Sequence, residues 1–290
     1  MWIVDAHHHL WDLNAVRYPW LMEPGTQRFF GDPTPIRRDY LLPDFRADHG
    51  AERVVASVHV QVGAADPLAE TAWLAAHAAA HDWPLAIVAF ADLTADDLEL
   101  RLDALDAAAA GRLRGIRQIV ARHPSEDGSS PGALLDDPAF ARGLAVLAAR
   151  GLSFDLQLTA PLLQRAARLL ADLPELQVVL CHCGSPWGRS PAAMAAWRKG
   201  LAAMAALPSV TSKLSGLGML RPDGDVADLV AGLLDAFPAD RLMWGSNVPV
   251  DALARPWRAL LDEARRHVPA QLHADLFGRT AARVYRLNPP

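Results

Sequence analysis

Val4-Asp5-Ala6-His7-His8-His9-Leu10-Trp11-Asp12 opens the chain with apolar residues that run straight into a carboxylate and three consecutive histidines. Taken as a short strand, the segment alternates its side chains between two faces, so Asp5, His7 and His9 share one face and Ala6 and His8 the other. Two imidazoles at i and i+2 of a strand end can converge on one metal ion or one substrate oxygen, and a nearby carboxylate can fix the tautomer of one ring. A purification tag would be longer, purely histidine and flanked by linker residues, and this run has none of those marks.

Outward from this strand, Trp11 to Gly50 is rich in Pro, Gly and aromatic residues and does not read as a plain crossover helix. Long ordered loops in compact domains serve as lids or binding loops, which makes Trp20, Arg37, Arg38 and Tyr40 candidates for covering a pocket. From Glu52 a rhythm sets in: short β-branched runs alternate with Ala/Leu-rich segments of helical period. Strands are predicted over 53–61, 85–91, 113–119, 152–158, 178–182, 210–215 and 242–246. Helices are predicted over 67–81, 95–110, 138–150, 161–171, 191–207 and 226–237, with two more at 255–266 and 269–285. Several helices open with Pro, whose missing N–H would be unpaired in the first turn anyway. With the first strand this makes eight βα units, the number that closes a parallel (β/α)8 TIM barrel. The expected architecture is one α/β domain over 1–290, with the loop at about 11–50 lying over the barrel mouth.

Composition agrees. A chain of 290 residues with 51% hydrophobic and 21% charged residues suits many helices around one large core. A formal net charge of -5 gives no footprint for nucleic acid or an acidic membrane. No apolar run approaches the ~18 residues of a membrane span, and the first strand leaves no room for a signal core, so a cytoplasmic protein is expected. Cys181 and Cys183 are too close to bridge on an extended strand. If His182 points into the mouth, alternation turns both cysteines outward as free thiols beneath the helices.

In such a barrel, residues at the C-terminal ends of the strands surround one mouth. Polar residues collect there: His7 and His9, then His59 and Gln61 alternating with valines, Arg117, Asp155 and Gln157, His182, Lys213 and Ser215, and Ser246 with Asn247. A strand buried on both faces should be almost wholly apolar, so this many exceptions at one end imply a site.

The opening stretch, Tyr18-Pro19-Trp20-Leu21, Val179-Leu180-Cys181-His182-Cys183-Gly184-Ser185-Pro186, Lys213-Leu214-Ser215-Gly216 and Met243-Trp244-Gly245-Ser246-Asn247-Val248-Pro249 together resemble the amidohydrolase-related TIM-barrel hydrolases. The nearest branch holds sugar lactonases and pyrone dicarboxylate lactonases. The resemblance implies His7, His9 and His182 as a metal or substrate-oxygen cluster, and position 247 as one that carries aspartate in most of the superfamily. Two departures follow. No carboxylated lysine is evident at the end of strand four, which argues against a binuclear centre. Position 247 is Asn, which cannot act as a general base at neutral pH. Asp251 then becomes the replacement carboxylate, with a helix-cap role as its alternative, and His59 the next candidate base.

The expected activity is hydrolysis of a lactone of a small sugar acid or dicarboxylate. His182, Asn247, Asp251 and His59 form the candidate catalytic set, and Arg117, Lys213, Trp20, Arg38 and Gln61 the candidate substrate-binding set. The alternatives are a metal-dependent decarboxylase or isomerase on the same barrel, and a non-catalytic small-molecule binder. At most one divalent metal, zinc or manganese, is expected, with no organic cofactor. The expected partners are a small-molecule substrate and, at most, a second copy of the chain, with no nucleic acid or membrane.

Overall fold

Eight parallel strands follow one another in sequence order round a single sheet: β1 (Ile3–His8), β2 (Val54–Val60), β3 (Leu85–Ala89), β4 (Leu113–Ile116), β5 (Ser153–Leu156), β6 (Val178–Leu180), β7 (Val210–Leu214) and β8 (Leu242–Trp244). The computed structural model describes residues 1–126 and 131–288. The helices are α1 (Pro19–Met22), α2 (Leu42–His49), α3 (Pro67–Ala80), α4 (Leu98–Ala109), α5 (Pro138–Ala149) and α6 (Leu163–Leu170). They continue with α7 (Pro191–Ala205), α8 (Leu217–Leu220), α9 (Ala227–Ala236), α10 (Trp257–His267) and α11 (Thr280–Val284). Among the described residues no helix is long and apolar enough to cross a membrane.

Local chemistry starts these helices where the sequence places them. Pro stands at the first position of α3, α5 and α7, and the preceding residue caps each. Asp66 accepts from the N–H groups of Leu68 and Ala69, Asp137 from Ala139, and Ser190 from Ala193. Each cap satisfies a donor that the first turn leaves unpaired.

The strands separate two apolar clusters. Outward residues such as Ile87, Phe154, Leu180 and Trp244 pack under the helices. Val4, Ala6, Ala56, Val58, Val60, Ala86, Val88, Val179 and Met243 fill the lumen. The sequence pattern predicts one helix over 269–285, but the segment breaks into a 3-10 turn at Ala270–Leu272, a π turn at Asp275–Arg279 and α11. The π turn lays Gly278 against Trp2, where an added Cβ would come within 2.4 Å of the indole. Ala281, Ala282 and Tyr285 then join the lumen cluster and plug it.

One irregularity positions the site. Along β1, Asp5 pairs with Ser57 and His8 with His59, so three steps on β1 oppose two on β2. The extra residue is a β-bulge, and a bulge reverses the alternation beyond it. Val4 and Ala6 face the lumen, and past the bulge His7 and His9 do so as well. Asp5 therefore does not share a face with His7 and His9, as strict alternation predicts. It lies outside, where its carboxylate accepts from the N–H of His7 at 3.2 Å, the N–H of Ser246 at 2.9 Å and Trp257 Nε1 at 2.9 Å. Asp5 thus satisfies the donors that the bulge frees and ties β1 to β8 and α10. Backbone bonds from Asn247 N to His7 O (2.6 Å) and from His9 N to Val248 O (2.8 Å) complete that seam.

Candidate active site

His7, His9 and His182 meet at the C-terminal mouth. The His7 ring centroid lies 5.3 Å from that of His9 and 4.4 Å from that of His182. His8 points the other way, stacking on Phe45 at 4.3 Å and bonding Ser57 Oγ at 2.8 Å. Burial lowers the pKa of all three mouth rings well below the usual 6.5. Nearby positive charge adds to it: Arg117 acts on all three rings, and Lys213 on His7 and His182. Burial and these charges therefore favour the neutral form of all three imidazoles, in which each carries a lone pair.

Their hydrogen bonds differ. Both ring nitrogens of His7 are buried with no protein partner among the described residues. His9 Nδ1 lies 2.7 Å from the carbonyl oxygen of Val60, which can only accept, so the ring proton sits on Nδ1. His9 Nε2 then turns its lone pair toward Asn247 Oδ1 at 3.1 Å, two acceptors that a proton or a cation between them would reconcile. His182 Nδ1 lies 3.0 Å from Ser215 Oγ.

Backbone strain marks the same place. His182, Cys183, Ser185 and Asn247 all hold left-handed φ between 50° and 57°. Such conformations are costly for residues other than Gly and collect at functional sites. The turn at 182–184 interrupts strand alternation, and this corrects the expectation for the cysteines. Both are free thiols, but only Cys183 packs outside; Cys181 lies in the lumen near Lys213, Asp155 and Arg117. Burial pushes its thiol up to about 11, so it is not a nucleophile at neutral pH.

Asp251 stands behind Asn247, accepting from Asn247 Nδ2 at 2.8 Å and from the N–H groups of Gly218 (2.8 Å) and Met219 (3.3 Å) at the start of α8. It reaches the mouth only through Asn247. The replacement-base expectation is corrected accordingly: Asp251 positions the amide and the α8 turn, and does not cap the segment that follows it. Burial pushes its carboxyl up to about 7. The folded state then binds a proton more tightly than the unfolded chain, whose carboxyl titrates near 3.8. Stability is lost as pH rises from about 4 to about 7 and is flat above, with a ceiling of about 4 kcal/mol for a shift of this size. Asp251→Asn should remove that slope, gaining on the wild type at pH 8 relative to pH 5 in urea denaturation. An unchanged difference between the two pH values would show that Asp251 keeps an ordinary carboxylate pKa.

Other expected site residues are placed elsewhere. His59 faces outward, since Val58 and Val60 hold the lumen positions on either side of it. Its Nδ1 accepts from Leu10 N at 3.1 Å and its Nε2 lies 3.6 Å from Glu70 on α3, so it is not a base at the mouth. Lys213 faces inward but is buried and ion-paired to Asp155 at 2.7 Å, beneath the histidines rather than open to substrate. Arg38 is exposed, paired with Asp44 at 3.1 Å and lying over Tyr40. Arg37 is a local strut whose Nε donates to Leu21 O at 2.6 Å. Gln61 is committed on both sides, with Oε1 accepting from Gly63 N at 2.8 Å and Nε2 donating to Arg117 O at 3.2 Å.

Arg117 is inside the mouth. Its guanidinium donates to Gln157 Oε1 at 2.8 Å and to the carbonyl of Gln61, while its buried Nε has no partner among the described residues. The segment after β1 bridges across this end of the barrel. Trp20 Nε1 donates to Val62 O at 2.5 Å, and Arg28 pairs with Glu126 through two bonds of 2.8 Å. Phe29 stacks on His123 at 5.0 Å and meets Trp187 edge-on at 4.6 Å. Nothing in the sequence reading pointed to this aromatic cluster, because its members come from three separate loops. Ser215 and Gly216 also carried no assigned role, although the small pair at the end of a strand was visible.

A divalent cation suits this chemistry: His7 has two orphaned buried nitrogens, and His9 Nε2 and Asn247 Oδ1 present facing lone pairs. Among the described residues no three His, Cys, Asp or Glu side chains form a ready ligand set, so an amide oxygen or solvent would complete the coordination.

Residues 4–287 match the family model described as amidohydrolase. An uncharacterised protein of Sinorhizobium fredii, y4mH, is 35% identical, covering 98% of each chain. L-fucono-1,5-lactonase of Burkholderia multivorans is 32% identical, covering 99% of this chain and 97% of its own. A crystal structure of an amidohydrolase from Burkholderia multivorans with bound zinc superposes with a TM-score of 0.81 at 30% identity, covering 99% of this chain and all of the other.

Proposed function

Because the chain belongs to the amidohydrolase family, we propose that it hydrolyses the lactone of a small sugar acid. The observation that carries this reading is the meeting of three buried imidazoles at the barrel mouth, one with both ring nitrogens unpartnered among the described residues. Opening a lactone needs a base that takes a proton from water and a donor that stabilises the carbonyl oxygen as it gains charge. With no cation bound, the lone pair of neutral His7 or of His9 Nε2 serves the first task. Arg117, whose Nε has no partner and which bonds no carboxylate among the described residues, suits the polar or charged end of the substrate. The segment carrying Trp20, Arg28 and Phe29 encloses the site, and enclosure strengthens each of these electrostatic contacts.

His7 and His9 are the imidazoles that would hold a divalent cation. When bound, such a cation polarises the carbonyl by its positive charge. The bound zinc of the Burkholderia multivorans amidohydrolase supports a divalent cation, and the assignment to His7 and His9 rests on their unpaired ring nitrogens and lone pairs.

A panel of sugar-acid lactones that includes L-fucono-1,5-lactone, followed by acid release with and without added zinc or manganese, tests the reading. The expected result is stoichiometric acid release from at least one 1,5-lactone with no carbon dioxide. Carbon dioxide evolution from an aromatic or enoic acid, with every lactone intact, would overturn it in favour of a decarboxylase.

A further inference from the structure

The Ser215 hydroxyl sits at the end of β7 with no exposure to solvent. Its Oγ lies 3.3 Å from the backbone N of His182 and 3.0 Å from that residue's Nδ1, and no other described side chain or carbonyl is within bonding distance of it. A hydroxyl has one proton to donate and two lone pairs to accept with. The His182 N–H can only donate, so it occupies a lone pair. Leaving a buried hydroxyl proton unpaired costs about 1–3 kcal/mol, so that proton goes to Nδ1. The backbone at 216 packs directly against this ring. Gly216, in the left-handed region at φ +69, lies so close that an added Cβ would come within 2.8 Å of His182 Nδ1.

We infer that Ser215 is a positioning residue that locks His182 in the tautomer with its proton on Nε2, making His182 the N–H donor of the site rather than a third metal ligand. His182 and His9 then have opposite polarity. Val60 O accepts a hydrogen bond from His9 Nδ1–H, which leaves the lone pair on Nε2. Ser215 donates a hydrogen bond to His182 Nδ1 and so leaves the ring N–H on Nε2, in a ring whose centroid is 4.4 Å from that of His7. One backbone carbonyl and one hydroxyl thus assign an acceptor and a donor to two chemically identical side chains. In the lactone reaction, on which the catalytic part of this inference rests, the donor bonds the carbonyl oxygen as it becomes negative.

The test is 15N NMR of the full chain with labelled histidine, His182 being assigned by its loss in His182→Gln. The expected spectrum shows a protonated Nε2 and a non-protonated Nδ1 for His182, and the reverse for His9. On addition of zinc, His7 and His9 signals should move while His182 keeps its Nε2 proton. Ser215→Ala should convert His182 to a mixture of tautomers and lower kcat on a cleaved lactone by about 10- to 10²-fold with less change in KM. A proton on Nδ1 of His182 in the wild type, or loss of its Nε2 proton to zinc, overturns the inference whatever the substrate proves to be. An unchanged His182 spectrum in Ser215→Ala overturns the role of Ser215. If the tautomers are as expected and no lactone is cleaved, the lactonase reading fails and the donor assignment stands.

Discussion

His7→Gln should lower kcat on the cleaved lactone by about 10²–10⁴-fold, the usual contribution of a positioned acid or base, with little change in melting temperature. The asymmetry has a structural cause. His7 makes no side-chain hydrogen bond among the described residues, so its replacement by another polar side chain breaks nothing that holds the fold. What it removes is a neutral imidazole held close to His9 and His182. Burial first, and then the positive charges of Lys213 and Arg117, disfavour protonation of that ring. The wild-type rate should accordingly not fall as pH drops through the ordinary histidine range near 6.5, because no mouth histidine gains a proton there. Circular dichroism and thermal denaturation beside steady-state kinetics check both halves. A loss of less than tenfold in kcat, or equal losses of stability and rate, would remove His7 from the reacting set.

Asp155→Ala should cost about 3–5 kcal/mol of stability, the range for breaking a buried ion pair from one side. Asp155 receives Lys213 Nζ at 2.7 Å, Tyr285 Oη at 2.6 Å and Ser153 Oγ at 3.0 Å, all in the barrel lumen. Truncating it strands a buried ammonium and a buried phenol together. In Asp155→Ala/Lys213→Met the charge is removed with its partner, so the double variant should recover a large part of the loss, since apolar replacements of buried pairs are often neutral. Urea denaturation of the two single variants and the double variant measures the coupling. A cost below about 1 kcal/mol for Asp155→Ala would mean that water reaches Lys213. Tyr285 also ties this network to the C-terminal plug, so truncation before Tyr285 should weaken the barrel from the opposite end.

The sequence by itself determined the barrel and the candidate cluster. Eight β-branched runs with helical segments between them have essentially one closed solution when every crossover is right-handed, and β2 and α3 fall within a residue or so of their predicted limits. The density of polar residues at strand ends located the mouth, because a doubly covered strand tolerates them nowhere else. Only the tertiary structure decided which of those residues look into it. Period-two reasoning holds along an uninterrupted ladder, and this chain breaks the ladder at the sites that matter. The bulge in β1 turns His7 and His9 inward while sending Asp5 out to Trp257, and the left-handed turn after β6 aims His182 inward while leaving Cys181 in the lumen. His59 went wrong for the converse reason: β2 stays regular there, and strict alternation puts its valines inside. Lys213, Asp155 and Tyr285 come together over separations of 58 and 130 residues, and Ser215 reaches His182 over 33. Such pairings depend on strand stagger and on where the C-terminal plug enters, and no local pattern of residues encodes either.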